Sequence, residues 1–256
     1  MAWGGVVGAV AVPASYWIWD DVTTIIVQPA SGGARIVSAT DLETLNGANL
    51  GVLMSPAGVM EVIQHATATA NINGTITLSR LLRGRRGTDD AGAFASAIYV
   101  LLDGTDLRFA GDLSALNAAE MFRVAGAFQT VQEAPAIPRS NTGRAERPYA
   151  PVHLVGSRDG SNNLTITWVR RTRLGGELLD LTGDVPLGEA SQAYEVDIRN
   201  AGDTATLRTI TATTPTASYT AAQQTTDGLT PGNPVVLRVF QISATVGRGI
   251  QRSATV

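Results

Sequence analysis

Two-residue alternation, with an apolar side chain at every second position, is the feature that most limits what this chain can fold into. Leu164, Ile166 and Trp168 point one way while Thr165, Thr167 and Val169 point the other. Tyr194, Val196 and Ile198 alternate with Glu195, Asp197 and Arg199, and Val235, Leu237 and Val239 alternate with Val236 and Arg238. Successive side chains of a strand project to opposite faces, so each run has one face for a core and one for water. Turn signals separate the runs: Asp159-Gly160, Asn200-Ala201-Gly202-Asp203, Asp227-Gly228 and Pro231-Gly232-Asn233. The second half therefore reads as a sandwich of short strands.

Further marks give that sandwich a resemblance. A proline-flanked strand opens it from Pro151 to Val155, a tryptophan stands in its second strand (Trp168) and a tyrosine in its third (Tyr194). Leu229-Thr230-Pro231-Gly232 leads into the sixth strand. Together these resemble a fibronectin type III domain. The tyrosine that normally follows the proline-glycine pair falls on Val235 here. The resemblance thus implies a corner without its usual hydrogen bond, held by apolar packing alone.

The first half also reads as β structure. Strands are expected at Gly8 to Val12, Trp17 to Val27, from Ile36-Val37, around Leu53, at Val59 to His65, Thr75 to Leu82, and Ile98 to Leu102. Thr40 followed by Glu43 is a helix-start signature, and Gly47 keeps that helix short. Ser114 to Met121 is expected to form one or two helical turns, and Phe122 to Phe128 a further strand. Residues 132–148 are rich in proline and polar residues and read as a partly extended connector. The chain is accordingly all-β with a few short helices. A barrel- or sandwich-like domain spans 1–131, a linker 132–148, and a fibronectin type III-like domain 149–256.

Between Thr75 and Thr88 a strand-like half gives way to Arg83-Gly84-Arg85-Arg86-Gly87. The glycines allow a tight turn. Arginine forks suit carboxylates or phosphates, so one reading is an anion or nucleic-acid site. The other is a turn whose arginines meet protein groups: Asp89, Asp90, or carbonyls of a neighbouring subunit. The net charge of -3 and a pI near 5.4 favour the second, because nucleic-acid binding needs a basic surface. Arg80, Arg83, Arg85 and Arg86 are the candidate interface residues.

Composition removes several chemistries. There is no cysteine, and all 19 basic residues are arginine, so thiolate sites, a Walker A lysine and a Schiff base are excluded. Only His65 and His153 exist, and no serine-elbow, zinc-protease, dinucleotide or EF-hand pattern accompanies them. Asp20-Asp21, Asp89-Asp90 and Asp103/Asp106 are the close acidic pairs. Asp103-Gly104-Thr105-Asp106 offers a possible cation loop, with a plain turn preferred. Residues 1–19 carry no charge until Asp20, but lack the basic start of a signal peptide and are broken by glycine and proline. They read as buried strands, and no membrane span is expected.

The stretch Leu78-Ser79-Arg80-Leu81-Leu82-Arg83-Gly84-Arg85-Arg86-Gly87-Thr88 resembles a segment near the C-terminus of the baseplate hub ("megatron") proteins of gene transfer agents and related siphophages. Trp19-Asp20, Leu45-Asn46-Gly47-Ala48-Asn49, Met60-Glu61-Val62-Ile63-Gln64, Tyr99-Val100-Leu101-Leu102-Asp103 and Arg147-Pro148-Tyr149-Ala150-Pro151-Val152-His153-Leu154 extend the likeness. It runs from about Gly8 to about Arg252 and corresponds to that family's distal portion. The resemblance implies a structural part of the distal tail or baseplate of a virion or gene-transfer particle. It also implies a homotrimer around the tail axis, contacts with other tail proteins, and a part in host attachment. The alternative is an adhesion module that binds a host receptor or glycan. No enzymatic activity, cofactor, metal or specific nucleic acid is expected.

Overall fold

The computed structural model describes residues 1–103, 113–175 and 185–256. The first half closes into a barrel. Its strands are β1 (Ala2–Val7), β2 (Ile25–Ser31), β3 (Leu50–Met54), β4 (Met60–Ala70), β5 (Ile76–Arg85) and β6 (Ile98–Leu101). They run in the order β1-β2-β5-β4-β3-β6, and β6 pairs back onto β1 through Ala2↔Leu101 and Gly5↔Ile98. Closure leaves no open sheet edge. Val27, Leu53, Ile63, Leu78, Leu81 and Tyr99 fill the interior. Gly51 is what admits Tyr99: a Cβ there would lie 2.5 Å from the tyrosine ring.

Several local expectations are corrected. The first strand is Ala2–Val7 rather than Gly8 to Val12, where only Val10 bridges to Phe94, and β2 begins at Ile25, not at Trp17. Ile36-Val37 begins no strand; Ile36 is a loop residue turned into the core. β5 does not stop at Leu82 but runs through Arg85, because the partner strand β4 is 11 residues long and keeps pairing with it. The helix signature holds: α1 (Asp41–Leu45) carries a reciprocal capping box between Thr40 and Glu43.

Residues 114–121 are not helical beyond a single 3-10 turn ending at Ala115. They lead instead into β7 (Ala119–Arg123), which pairs with β8 (Ala136–Ser140). The stretch read as a connector thus contains a paired strand. Tertiary pairing has overridden the helix-forming alanines and methionine.

The second half is a fibronectin type III-like sandwich. One sheet holds β9 (Val152–Arg158), β10 (Leu164–Val169) and β13 (Thr216–Tyr219), in the order β13-β10-β9. The other holds β11 (Tyr194–Arg199), β12 (Thr206–Ala212), β14 (Val236–Ser243), the short β15 (Gly247–Arg248) and β16 (Arg252–Thr255). In that sheet β11 lies between β12 and β14, and β16 pairs with β14. The alternating residues are the core: β10 buries Leu164, Ile166 and Trp168 and leaves the residues between them exposed. Trp168 meets Tyr194 edge-on with ring centroids 5.1 Å apart.

The corner expected to rest on apolar packing is corrected. Val235 is buried as expected, but a tyrosine of another strand supplies a polar tie. The Tyr219 hydroxyl donates to Asp227 Oδ2 at 2.8 Å, and Arg208 clamps the same carboxylate with bonds of 2.7 and 2.8 Å. Asp227 caps the C-terminal end of α2 (Ala221–Thr226), whose buried Gln224 donates to the carbonyls of Asn162 and Tyr219. No helix among the described residues is long and apolar enough to cross a membrane.

Candidate functional site

The four candidate arginines go to different places. Arg83 points into the barrel with its side chain wholly buried. Its Nε and Nη2 make a two-pronged contact of 2.7 Å each with Glu61, Nη1 lies 3.4 Å from Asp20 Oδ2, and Nη2 also donates to the Ala11 carbonyl. Burial pulls the guanidinium toward neutrality, but the bonds and charge of Glu61, with Asp20 behind, hold its pKa above the ordinary value. Gly84 makes room for this cluster: at φ 58° it lets its N–H reach Glu61 Oε1, and a Cβ there would collide with Tyr16 and Asp89. Arg80 lies on the surface, clamped on Asp41, bonded to Asp21, and stacked 4.6 Å over Trp19. Arg85 Nε donates to Gln64. Arg86 is exposed at the tip of the turn.

Acids, not arginines, tie this turn to the second half. Arg171, just past β10, pairs with Asp89 at 2.8 Å, and Arg144 pairs with Asp90 and donates to the Gly87 carbonyl at 2.9 Å. Tyr149 packs on Gly87, while Arg252 stacks over Trp17 and Trp17 meets His153 edge-on. The expectation that the turn's arginines would take Asp89 and Asp90 is therefore corrected. The geometry of β5 sends Arg83 inward before the turn begins, and arginines from residues 144 and 171 reach the acids.

Among the described residues, no member of the close acidic pairs stands free as part of a catalytic dyad. Asp20 faces Arg83, Asp21 faces Arg80, and Asp89 and Asp90 are held as described. Asp103 pairs with Arg35 at 2.7 Å; the rest of the considered cation loop, Gly104 to Asp106, lies outside the described residues. Among the described residues no group of three or more His, Asp or Glu side chains could hold a metal.

His65 is a core residue. Its Nε2 lies 3.3 Å from the Val37 carbonyl and its Nδ1 lies 3.3 Å from the Tyr99 hydroxyl. These partners suit a neutral ring that donates from Nε2 and accepts at Nδ1. Burial pushes its pKa down from 6.5 to about 4. The unfolded chain then binds a proton that the folded chain refuses, so stability is full above pH 6.5 and falls as pH drops toward 4. Between pH 6.5 and 5 this single group is expected to remove about 1.5 kcal/mol. Urea midpoints across that range check it: His65→Phe should flatten the slope, and an unchanged slope would assign it elsewhere.

The surface that sequence reading missed is the β7–β8 hairpin. It forms a separate two-stranded sheet, and nearly every residue of both strands is exposed. Met121 is 67% exposed, Val124 75%, Val131 56%, and Phe128 fully exposed at the far end. Arg123 and the Thr130–Glu133 bonds brace the loop that joins the strands. Near the base of this arm Met54, Pro56, Ala97, Ile98 and Arg139 line a mainly apolar cleft of about 440 Å³. The apolar residues of 121–131 were visible in the sequence, but their exposure depends on pairing with 136–140.

The profile of the Rcc01698-like C-terminal family matches residues 2–100, which is the barrel. No curated protein matches the chain. Among solved structures, the FN5 domain of Drosophila Lar is similar at 15% identity with a TM-score of 0.27, the match covering 43% of this chain and 94% of that domain. Domains d3–d4 of the rat CD45 extracellular region give 11% identity and a TM-score of 0.30, over 61% of this chain and 72% of that one. The FN1–FN3 domains of chicken CNTN1 give 9% and 0.30, over 98% of this chain and 65% of that one.

Proposed function

We propose that the chain is a structural component of the distal tail or baseplate of a tailed phage or gene-transfer particle. In this reading three copies assemble around the tail axis, contact other tail proteins, and carry the sandwich outward toward the host surface. The order of hub-like segments in the sequence supports it. The observation that carries self-assembly is the hairpin arm. A lone two-stranded ribbon is marginal in water, and an exposed apolar tip on it is stabilised by burial against another protein surface. Nucleic acid has no part in this reading, because the net charge is -3 and Arg80, Arg83 and Arg85 all bond protein groups.

Light scattering on the purified chain tests the proposal. A trimer is expected, and Phe128→Asp with Val124→Asp should convert it to monomers while circular dichroism stays unchanged. A chain that is monomeric at tens of micromolar would overturn the assembly reading in favour of the adhesion module that binds a host receptor or glycan.

A further inference from the structure

A second, polar cleft lies where the turn meets the second half, and its walls come from both. The C-terminal end of α1 at Asn46-Gly47, Gln64 of β4, Arg85 and Arg86 of the turn, and Tyr149 and Arg173 beyond it enclose about 180 Å³. That is below the roughly 300–1,000 Å³ of a site for a drug-sized ligand, and fits a small group. Three guanidiniums line it, and no described lining residue is acidic. Arg173 is held from the side by Glu146 at 3.0 Å and Glu189 at 3.3 Å. The Gln64 amide is committed: its nitrogen donates to the Thr44 and Ala48 carbonyls, and its oxygen accepts from Arg85.

Arg86 differs from its neighbours. It meets no hydrogen-bonding or ion-pair partner among the described residues, and it is exposed beside the cleft it lines. Its backbone is left-handed at φ 57°, between Gly84 at 58° and Gly87 at 72°. A side chain in that conformation is strained by about 1–2 kcal/mol, where glycine would not be. Arg80 has the same conformation at φ 50° and is held there by Asp41 and Asp21, whereas no such protein partner among the described residues accounts for Arg86.

We infer that this cleft binds a small oxyanion, the carboxylate or phosphate group of a ligand, with Arg86 as its principal clamp and Arg85, whose Nε is bonded to the neutral Gln64 amide, adding positive charge beside it, while Arg173, offset by Glu146 and Glu189, forms a wall. The planar fork of arginine gives two parallel N–H donors to either group. Because the walls come from both halves of the chain, an occupant would bridge them. The inference is independent of the tail reading: an anion site would stand in a monomeric adhesion module as well.

Titration calorimetry with inorganic phosphate at constant, low ionic strength tests it. One saturable site per chain is expected. Competition by succinate would assign the site to carboxylates, and failure to compete would assign it to phosphoryl groups. Arg86→Gly is the informative variant, since it relieves the backbone strain. It should melt at the same temperature or higher and yet bind phosphate at least about tenfold more weakly, a loss of about 1.4 kcal/mol. Arg139→Gln, which removes an exposed arginine outside this cleft, should bind as the parent does. Absence of saturable binding by both phosphate and succinate titrated directly, retention of affinity by Arg86→Gly, or an equal loss in Arg139→Gln would each overturn the inference.

Discussion

Replacing Arg83 by methionine is expected to destabilise the barrel by about 3–5 kcal/mol, the usual cost of removing one partner from a buried charged pair. The arginine and Glu61 are both inaccessible to water and are joined by two bonds of 2.7 Å. Without the guanidinium, Glu61 keeps only the Gly84 N–H among the described residues and shares the site with the Asp20 carboxylate that the same arginine had neutralised. Asp20 itself stays satisfied: burial pushes its pKa up, but the Thr23 N–H and side chain and the Val22 N–H, with Arg83 beside them, hold it below the usual range. The penalty therefore resides mainly in Glu61. The double variant Arg83→Met with Glu61→Leu should recover part of the loss, because it removes the stranded charge as well. Recovery should be incomplete, since the Gly84 N–H then has no acceptor, at about 1–3 kcal/mol. A double-mutant cycle by urea denaturation measures the coupling. The loss should persist in high salt, because screening does not reach a buried pair. A single variant within about 1 kcal/mol of the parent would sink this account.

Trp168→Ala is the second large effect, expected at about 3–5 kcal/mol and confined to the sandwich. The indole is 3% exposed and packs edge-on against Tyr194 between the two sheets. Its loss opens a cavity that Ile166, Val196 and Leu237, already close-packed, cannot fill without strain. Trp168→Phe should cost far less, about 1 kcal/mol, because most of the volume remains and the indole N–H meets no acceptor among the described residues. The polar part of the side chain thus contributes no bond to be lost. Intrinsic fluorescence and the denaturation midpoint check both variants. Equal losses for alanine and phenylalanine would mean that packing volume is not what Trp168 supplies.

The arginine site was only partly legible. The sequence placed Arg80, Arg83, Arg85 and Arg86 in one cluster, and like charges so close in the chain must find separate partners. It could not say which, because Glu61 lies 22 residues from Arg83 and Asp20 lies 63. Nor could it show that Asp89 and Asp90 would be taken by arginines 82 and 54 residues away.

What the sequence determined by itself was local in cause. Period-two alternation set the core face of β10 and the core positions of β11 and β14, since on a pleated strand the face follows from position alone. It did not foresee that Asp197, on the face of β11 read as open to water, would be buried under Arg248. Thr40 and Glu43 set the start of α1, since a capping box closes within four residues. The tertiary structure alone decided the closure of β6 onto β1, the extension of β5 into its arginines, and the pairing of 119–123 with 136–140. It also decided that Tyr219, rather than a residue at position 235, would tie the sandwich corner to Asp227. Each of these depends on which distant backbone or side-chain group arrives opposite. A pattern of faces does not specify that partner; the competition to pair every buried polar group does.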